Sequence, residues 1–364
     1  MPQKKTPKEI EKLIEIYSRA KQRILLTIKQ KEAKGNSTFY QRSLLTQING
    51  FLKELNKEVK VWSSRNIPKF YEEKLRELNN YVNENDIPVI QASFAKIHKP
   101  AIETIVNNLS SDLVEANNFV GRKINDKFKE IGLETTAEKF AVGQSVKVQK
   151  DRIIEELIKS GIIGFTDKAG RNWQIDSYAA MVANTTYAEA VNRATVNQLT
   201  AWDIDLVKVS ENQSACPVCA VYEGRTFSVS GNDKRFPALN EAFKGFKEGG
   251  NLNLHPNCLH SLFPVVEGLM SKEEVKAAID FSHPNKRPFN VDERSQKKID
   301  LYNEAQSQKR ELRTDKKQFE DYKLLLGKDA PKTFSGFKRM KQSNSQNWQD
   351  LQEKYRAART DLKQ

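Results

Sequence analysis

Cysteine and histidine are scarce in this chain of 364 residues, which has three of the first and four of the second. An odd number of cysteines argues against a disulfide framework and leaves metal or redox chemistry as their better use. Long apolar runs are missing too: a membrane-spanning helix needs roughly eighteen or more consecutive apolar residues, and no such run occurs. The N-terminal stretch MPQKKTPKEI has neither the apolar segment nor the small-residue cleavage site of a secretory signal. The sequence therefore predicts a protein with no membrane segment, synthesised in a cytoplasm.

Excess charge is absent from most of the chain. Residues 35–285 carry thirty Lys/Arg against thirty-one Asp/Glu, whereas residues 1–34 carry ten against four and residues 286–364 twenty against twelve. The formal net charge of +13 thus sits at the two ends. A neutral body with basic ends suits contact with a polyanion, because each cation placed on a phosphate releases counterions. The alternative is that these are the solvated faces of amphipathic helices.

What is present is mostly helical periodicity. Ile10, Leu13, Ile14, Tyr17, Ile24, Leu25 and Ile28 recur at three- and four-residue spacing, and Leu44, Ile48, Phe51, Leu52, Leu55, Val59 and Trp62 form a second stripe. KGNS at 34–37 predicts a turn between them. Further helices are expected over 69–85, 89–109 and 119–131, with Pro68, Pro88 and Pro100 marking starts or kinks. His98 beside Lys99 and Pro100 reads as a surface or packing residue.

The pattern changes near residue 161. A short apolar segment, a turn at DKAG, the stretch RNWQID, a long helix from Ser177 and an alternating strand IDLVKVS at 204–210 predict a compact α/β module. All three cysteines and two of the histidines fall here, in SACPVCAVYEGRTF and NLHPNCLHSLFP. Zinc takes four thiolate or imidazole ligands in a tetrahedron, and a two-residue gap lets both members of a pair reach one ion. Cys216 and Cys219 are one pair; His255, Cys258 and His260 offer one donor more than a closed site needs. His255 repeats the two-residue gap and ranks slightly ahead of His260, and both stay open. The expected role of a Zn2+ ion is structural, stapling the ends of the loop between the two strips.

Catalytic readings fit less well. A zinc deaminase needs H-x-E followed by P-C-x-x-C, and there is no H-x-E. GGNLNLHPNCLH bears a superficial likeness to an HNH-type nuclease, but the upstream general-base histidine is missing, since residues 161–254 contain no histidine. The zinc-containing HNH-like nuclease is the alternative; the reading adopted is a non-enzyme.

The runs DSYAAMVANTTYAEAVNRA, DLVKVSENQSACPVCAVYEGRTFSVSG and HPNCLHSLFP resemble the minor capsid, or minor head, proteins of tailed bacteriophages, related to the F protein of phage Mu. SQKKIDLYNEAQSQKRELRTDKKQ resembles the basic segment that follows the motif in the Gram-positive-phage branch. One departure is Leu259, where family members often carry Arg between the last Cys and His. The resemblance implies a low-copy structural protein inside the phage head near the portal. It further implies a role in head assembly and in genome packaging or ejection, with the portal protein and capsid or scaffold proteins as partners.

The fold expected is α+β and predominantly helical. It comprises a helical N-terminal region (1–135), a small α/β module with a Cys/His zinc knuckle (136–285), and a basic helical tail with a flexible linker at 327–347 (286–364). In the tail, Ile299, Tyr302, Leu312, Phe319, Tyr322 and Leu326 make a sparse apolar seam. Lys297, Lys298, Lys309, Arg310, Arg313, Lys316 and Lys317 dominate the rest and are the expected contacts to double-stranded DNA, made without sequence specificity. Aromatic residues interleaved with these cations are candidates for stacking on bases.

Overall fold

The computed structural model describes residues 7–30, 37–90, 93–142, 164–166, 170–243, 252–258 and 260–361. Residues 34–36 of the turn expected at 34–37, the apolar start at 161–163, most of the DKAG turn and Leu259 lie outside these residues. The described chain is predominantly helical with short antiparallel strands. In order, the elements are α1 (Lys8–Gln30), α2 (Ser37–Glu84), α3 (Phe94–Val142), β1 (Gly164–Thr166), β2 (Asn172–Gln174), α4 (Ile175–Ala201) and β3 (Leu206–Val209). There follow the one-turn α5 (Pro217–Ala220), β4 (Thr226–Ser228), α6 (Leu239–Ala242), β5 (Leu262–Pro264), α7 (Lys272–Ser282), α8 (Gln296–Leu326), α9 (Phe334–Ser343) and α10 (Gln346–Asp361). No helix among the described residues is long and apolar enough to cross a membrane.

The apolar stripes do what their spacing predicts. Ile10, Leu13, Tyr17, Ile24, Leu25 and Ile28 are buried on α1, and Leu44, Ile48, Leu52, Leu55, Val59 and Trp62 on α2. Of the prolines expected to mark starts or kinks, Pro88 lies between α2 and α3, whereas Pro68 and Pro100 start no helix: α2 runs through the first and α3 through the second. An internal proline costs about 3 kcal/mol. Ile67, Phe70 and Tyr71, all buried around Pro68, offset that by keeping both halves of α2 on apolar neighbours. His98 is a packing residue, buried at 2% exposure with Nδ1 3.1 Å from the Tyr71 hydroxyl.

The chain divides into two compact units, each assembled from three stretches: Met1–Leu13, Lys60–Asp112 and Ala180–Gln306 in the first, and Ile14–Val59, Leu113–Ala179 and Ser307–Gln364 in the second. The first contains a three-stranded antiparallel sheet in the order β4-β3-β5, with Val207 opposite Phe227 on one side and Val209 opposite Leu262 on the other. Its core joins Leu78 and Val82 of α2, Val196, Leu199 and Trp202 at the end of α4, and the inward side chains of the sheet.

In the second unit Phe319, Tyr322, Phe337, Trp348 and Leu351 bury one another. The flexible linker expected at 327–347 is therefore corrected. Residues 334–343 form α9, capped by Thr333, whose hydroxyl accepts from Gly336 N at 3.1 Å. Phe334, Phe337 and Met340, three residues apart, turn one face of α9 onto Tyr322 and Trp348. These aromatic rings are occupied by each other, so their expected stacking on bases is corrected as well.

Candidate metal centre

Strand pairing brings the two cysteine-bearing strips together. β3 ends at Val209 and feeds directly into the first strip, while β5 begins at Leu262, just after the second. Because Val209 faces Leu262 in antiparallel register, residues 210–219 and 255–260 emerge at the same end of the sheet. Ser210 N donating to Ser261 O at 2.9 Å, and Ser261 N to the Ser210 hydroxyl at 3.0 Å, extend the pairing toward the ligands.

Each strip makes a tight turn that aims its donors. Cys216 caps α5, its Sγ accepting from Cys219 N at 3.4 Å, with Pro217 at the first helical position where its missing N–H costs nothing. The second turn repeats the closure, with Cys258 N donating to His255 O at 3.1 Å. Asn257 takes the left-handed conformation there (φ 62°), which asparagine tolerates well. Gly224 sits at φ +71°, in the left-handed region where any side chain would be strained, and a Cβ there would also lie 3.2 Å from the Phe281 ring.

The donors converge in two groups sharing Cys219. Cys216, Cys219 and His255 form one, Cys219, Cys258 and His260 the other, with donor atoms inside each group within 4.8 Å of one another. The His255 Nε2 lies 3.2 Å from Cys216 Sγ and 3.0 Å from Cys219 Sγ. Cys219 Sγ is 3.7 Å from Cys258 Sγ, and Cys258 Sγ is 3.5 Å from His260 Nδ1. A tetrahedral zinc ion implies edges of about 3.8 Å between sulfurs and about 3.6 Å between sulfur and nitrogen. Donor chemistry and spacing therefore fit zinc. Two faces of one tetrahedron share two corners and these groups share one, so a single ion would take four of the five donors, and only after a side-chain rotation.

Both imidazoles have the nitrogen that faces away from the sulfurs on an oxygen. His255 Nδ1 is 2.7 Å from Pro256 O, and His260 Nε2 is 2.8 Å from Glu223 Oε1. Such contacts favour a proton on that nitrogen, which would leave the other free to serve as a lone-pair donor to a bound metal. The cluster polarises its own groups. Hydrogen bonding with Cys219 and His255 pulls the Cys216 thiol down to about 3 against its burial, while hydrogen bonding with Cys216 and Cys258, together with burial, pushes Cys219 up. The Cys258 thiol is held down by Cys219 and His260. The thiolate of Cys216 raises His255 to about 9. Burial opposes the charge on His260, yet Cys258 and Glu223 outweigh it and raise it to about 9.

The supports of the cluster are residues that spacing alone did not mark. On α4, Asn192 donates to Leu252 O at 2.9 Å and to His260 O at 3.1 Å, and accepts from Leu262 N at 3.0 Å. Glu189 accepts from Leu252 N and pairs with Arg193 at 2.9 Å, while Thr185 accepts from Asn257 N at 2.9 Å. A sequence signal for these existed: Thr185, Glu189 and Asn192 fall on one face of a helix otherwise rich in apolar residues. On the other side, three arginines donate to carbonyls of the first strip. Arg225, fully buried, reaches Val221 O at 2.6 Å; Arg287 reaches Ala220 O and Glu223 O; Arg294 reaches Ala215 O at 2.8 Å. Burial lowers Arg225 to about 10, still a cation at neutral pH, and its guanidinium lies 4.4 Å from the centre of the Phe289 ring.

The residues expected to contact DNA separate into two sets. Lys297 is exposed, but Lys298 is half-buried with Nζ 3.6 Å from Glu223 Oε2. Lys309, Arg310, Arg313, Lys316 and Lys317 are all exposed on α8, without an ion partner within 4 Å among the described residues. At 100° per residue these five span about a third of the helix circumference. Asp315, Phe319 and Tyr322, on the opposite side, are buried.

Comparison with known proteins gives the family. The phage minor capsid protein 2 family matches residues 2–324, nearly the whole chain, so the chain belongs to it. A protein named a structural protein, from Lactococcus phage LL-H, is 24% identical over 206 residues, which make up 53% of this chain and 54% of that protein. The chain thus spans about half the length of this curated relative. No solved structure matches.

Proposed function

We propose that this chain acts as a structural minor capsid protein of a tailed phage. In this reading it is part of the virion, inside the head near the portal, and takes part in head assembly and in packaging or ejection of the genome. Its partners are then the portal protein, capsid or scaffold proteins, and double-stranded DNA. Family membership and the name of the Lactococcus phage relative support the structural, non-enzymatic role.

One observation carries the DNA contact: the sector of Lys309, Arg310, Arg313, Lys316 and Lys317 on α8, exposed opposite its buried seam. It offers cations to phosphate, and contacts made through phosphate carry no sequence information, so binding in this reading is nonspecific. Changing all five to Gln should reduce the slope of log affinity against log salt by about 4 to 5 for duplexes of unrelated sequence. An unchanged slope refutes this surface.

The Cys216, Cys219, Cys258 and His255 or His260 donors are proposed to hold one structural zinc ion. Its chemistry is that of a staple: it joins strips that a 35-residue interval separates, and it needs no open coordination position. Purified protein should contain about one zinc per chain. Protein fully folded with no bound metal would overturn this part while leaving the DNA surface untouched.

A further inference from the structure

Glu223 belongs neither to the cysteine pairs nor to the basic helix, yet it touches both. Its side chain is only 5% exposed. Oε1 lies 2.8 Å from His260 Nε2 and accepts from Asn212 N at 2.6 Å; Oε2 lies 3.6 Å from Lys298 Nζ, near the start of α8. Its backbone is held as well, the N–H donating to Cys219 O at 3.2 Å and the carbonyl accepting from Arg287 Nη1 at 3.0 Å. A carboxylate this deeply buried is costly unless every oxygen is engaged, and here each oxygen faces a partner.

The same stretch that supplies Lys298 also supplies Arg287 and Arg294. Together these bind the first strip at Ala215, Ala220 and Glu223, on either side of Cys216 and Cys219. Residues 287–298 and the ligand turn are therefore one hydrogen-bonded assembly, and all of them lie within the first unit.

Resting on the zinc reading above, we propose that Glu223 is the positioning residue of the metal cluster and the link between it and the basic helix. As acceptor from His260 Nε2–H it holds the imidazole with Nδ1 toward Cys258, and through Lys298 it fixes the beginning of α8. Binding of the ion and ordering of residues 287–306 are then linked, and the linkage is reciprocal: whatever stabilises one stabilises the other. Among the described residues, Glu223 is the one side chain that contacts both a histidine of the cluster and a lysine of the expected DNA-contacting set.

The test uses the full chain and zinc itself, with affinity measured by competition against a chromophoric chelator. Glu223→Gln should bind zinc about 10- to 100-fold more weakly at unchanged stoichiometry. In a His260→Ala background the same substitution should add little, because the two act as a unit. Amide exchange over 296–306 should accelerate when the wild-type protein is stripped of zinc. Lys298→Ala, at the half-exposed end of the link, should weaken zinc binding in the same direction by a smaller factor, and stands in should Glu223→Gln fail to fold. Wild-type affinity in both variants, an equal loss with and without His260, or exchange indifferent to zinc would overturn the proposal while zinc binding itself stands. A wild-type protein that takes up no zinc would overturn both readings.

Discussion

Residues 206–264 draw distant strips together with sulfur, nitrogen and hydrogen bonds, whereas residues 319–351 do so with aromatic rings. In the first region Cys219 and Cys258 are buried, but what surrounds them is polar: Asn192, Glu189, Glu223, His260 and Arg225 are all buried and all hydrogen-bonded. In the second, Tyr322 stacks on Tyr355 at 4.1 Å between centroids and on Trp348 at 5.8 Å, and Phe337 meets Trp348 edge-on. The difference lies in how each region tolerates loss. A polar network is only as good as its least satisfied member, whereas an apolar cluster loses stability in proportion to the area removed.

The comparison is tested most severely at Cys219, the donor common to both groups. Cys219→Ser should abolish stoichiometric zinc binding and destabilise the 206–264 region by up to about 10 kcal/mol, the scale of structural zinc in small domains. Metal analysis and amide exchange over 206–209 and 252–264 would report it; a variant with wild-type zinc content would show that Cys219 is not a ligand. A smaller effect is expected for Trp348→Ala, about 3–5 kcal/mol for truncation of a buried aromatic, read from urea melts followed by fluorescence, with zinc content unchanged. Loss of zinc from that variant would mean the two regions do not differ in the way described.

The smallest effect concerns pH. Burial raises the Asp321 carboxyl to about 6, although Lys317, Arg359 and Lys21 pull it down. A carboxylate whose folded pKa lies above its unfolded value adds stability below the unfolded pKa and loses it as pH rises through the folded one. The aromatic-cluster region should therefore weaken between about pH 4 and 6. Asp321→Asn should remove that dependence and gain about 1 kcal/mol at neutral pH after discounting for partial solvent exposure. A pH profile over that window identical to wild type would reject the assignment.

The structure also changes how the basic tail should be probed. Arg287 and Arg294 lie in the charge-rich C-terminal segment, but they are tied to Ala220 and Ala215 of the ligand strip. Deleting the tail from residue 286 would disturb the metal cluster together with any DNA surface, whereas substitutions confined to 309–317 leave these braces in place.

Legibility in the sequence followed the range of the interaction. The stripes of α1 and α2 were readable because a helix fixes which residues share a face within two turns. The clustering of Cys216, Cys219, His255, Cys258 and His260 was partly readable, because the short gaps within each strip are themselves local geometry, whereas the meeting of the two strips was not. The continuity of α2 through Pro68 was not, since the proline penalty is local while the burial of Ile67 and Tyr71 that offsets it is tertiary. Nor was α9 readable: GKDAPKTFSGFKRM has the composition of a linker, and it folds because Phe337 finds Tyr322 and Trp348.

By itself the sequence determined where the apolar faces, the scarce sulfurs and the excess cations lie along the chain. Only the tertiary structure decided which polar groups would be spent on the protein itself: Lys298 on Glu223, Glu223 on His260, and Arg225 on the carbonyl of Val221. A charged side chain reads the same in a sequence whether it meets solvent, a phosphate or a buried partner. The choice among these is made by desolvation and distance, which exist only once the chain has closed on itself.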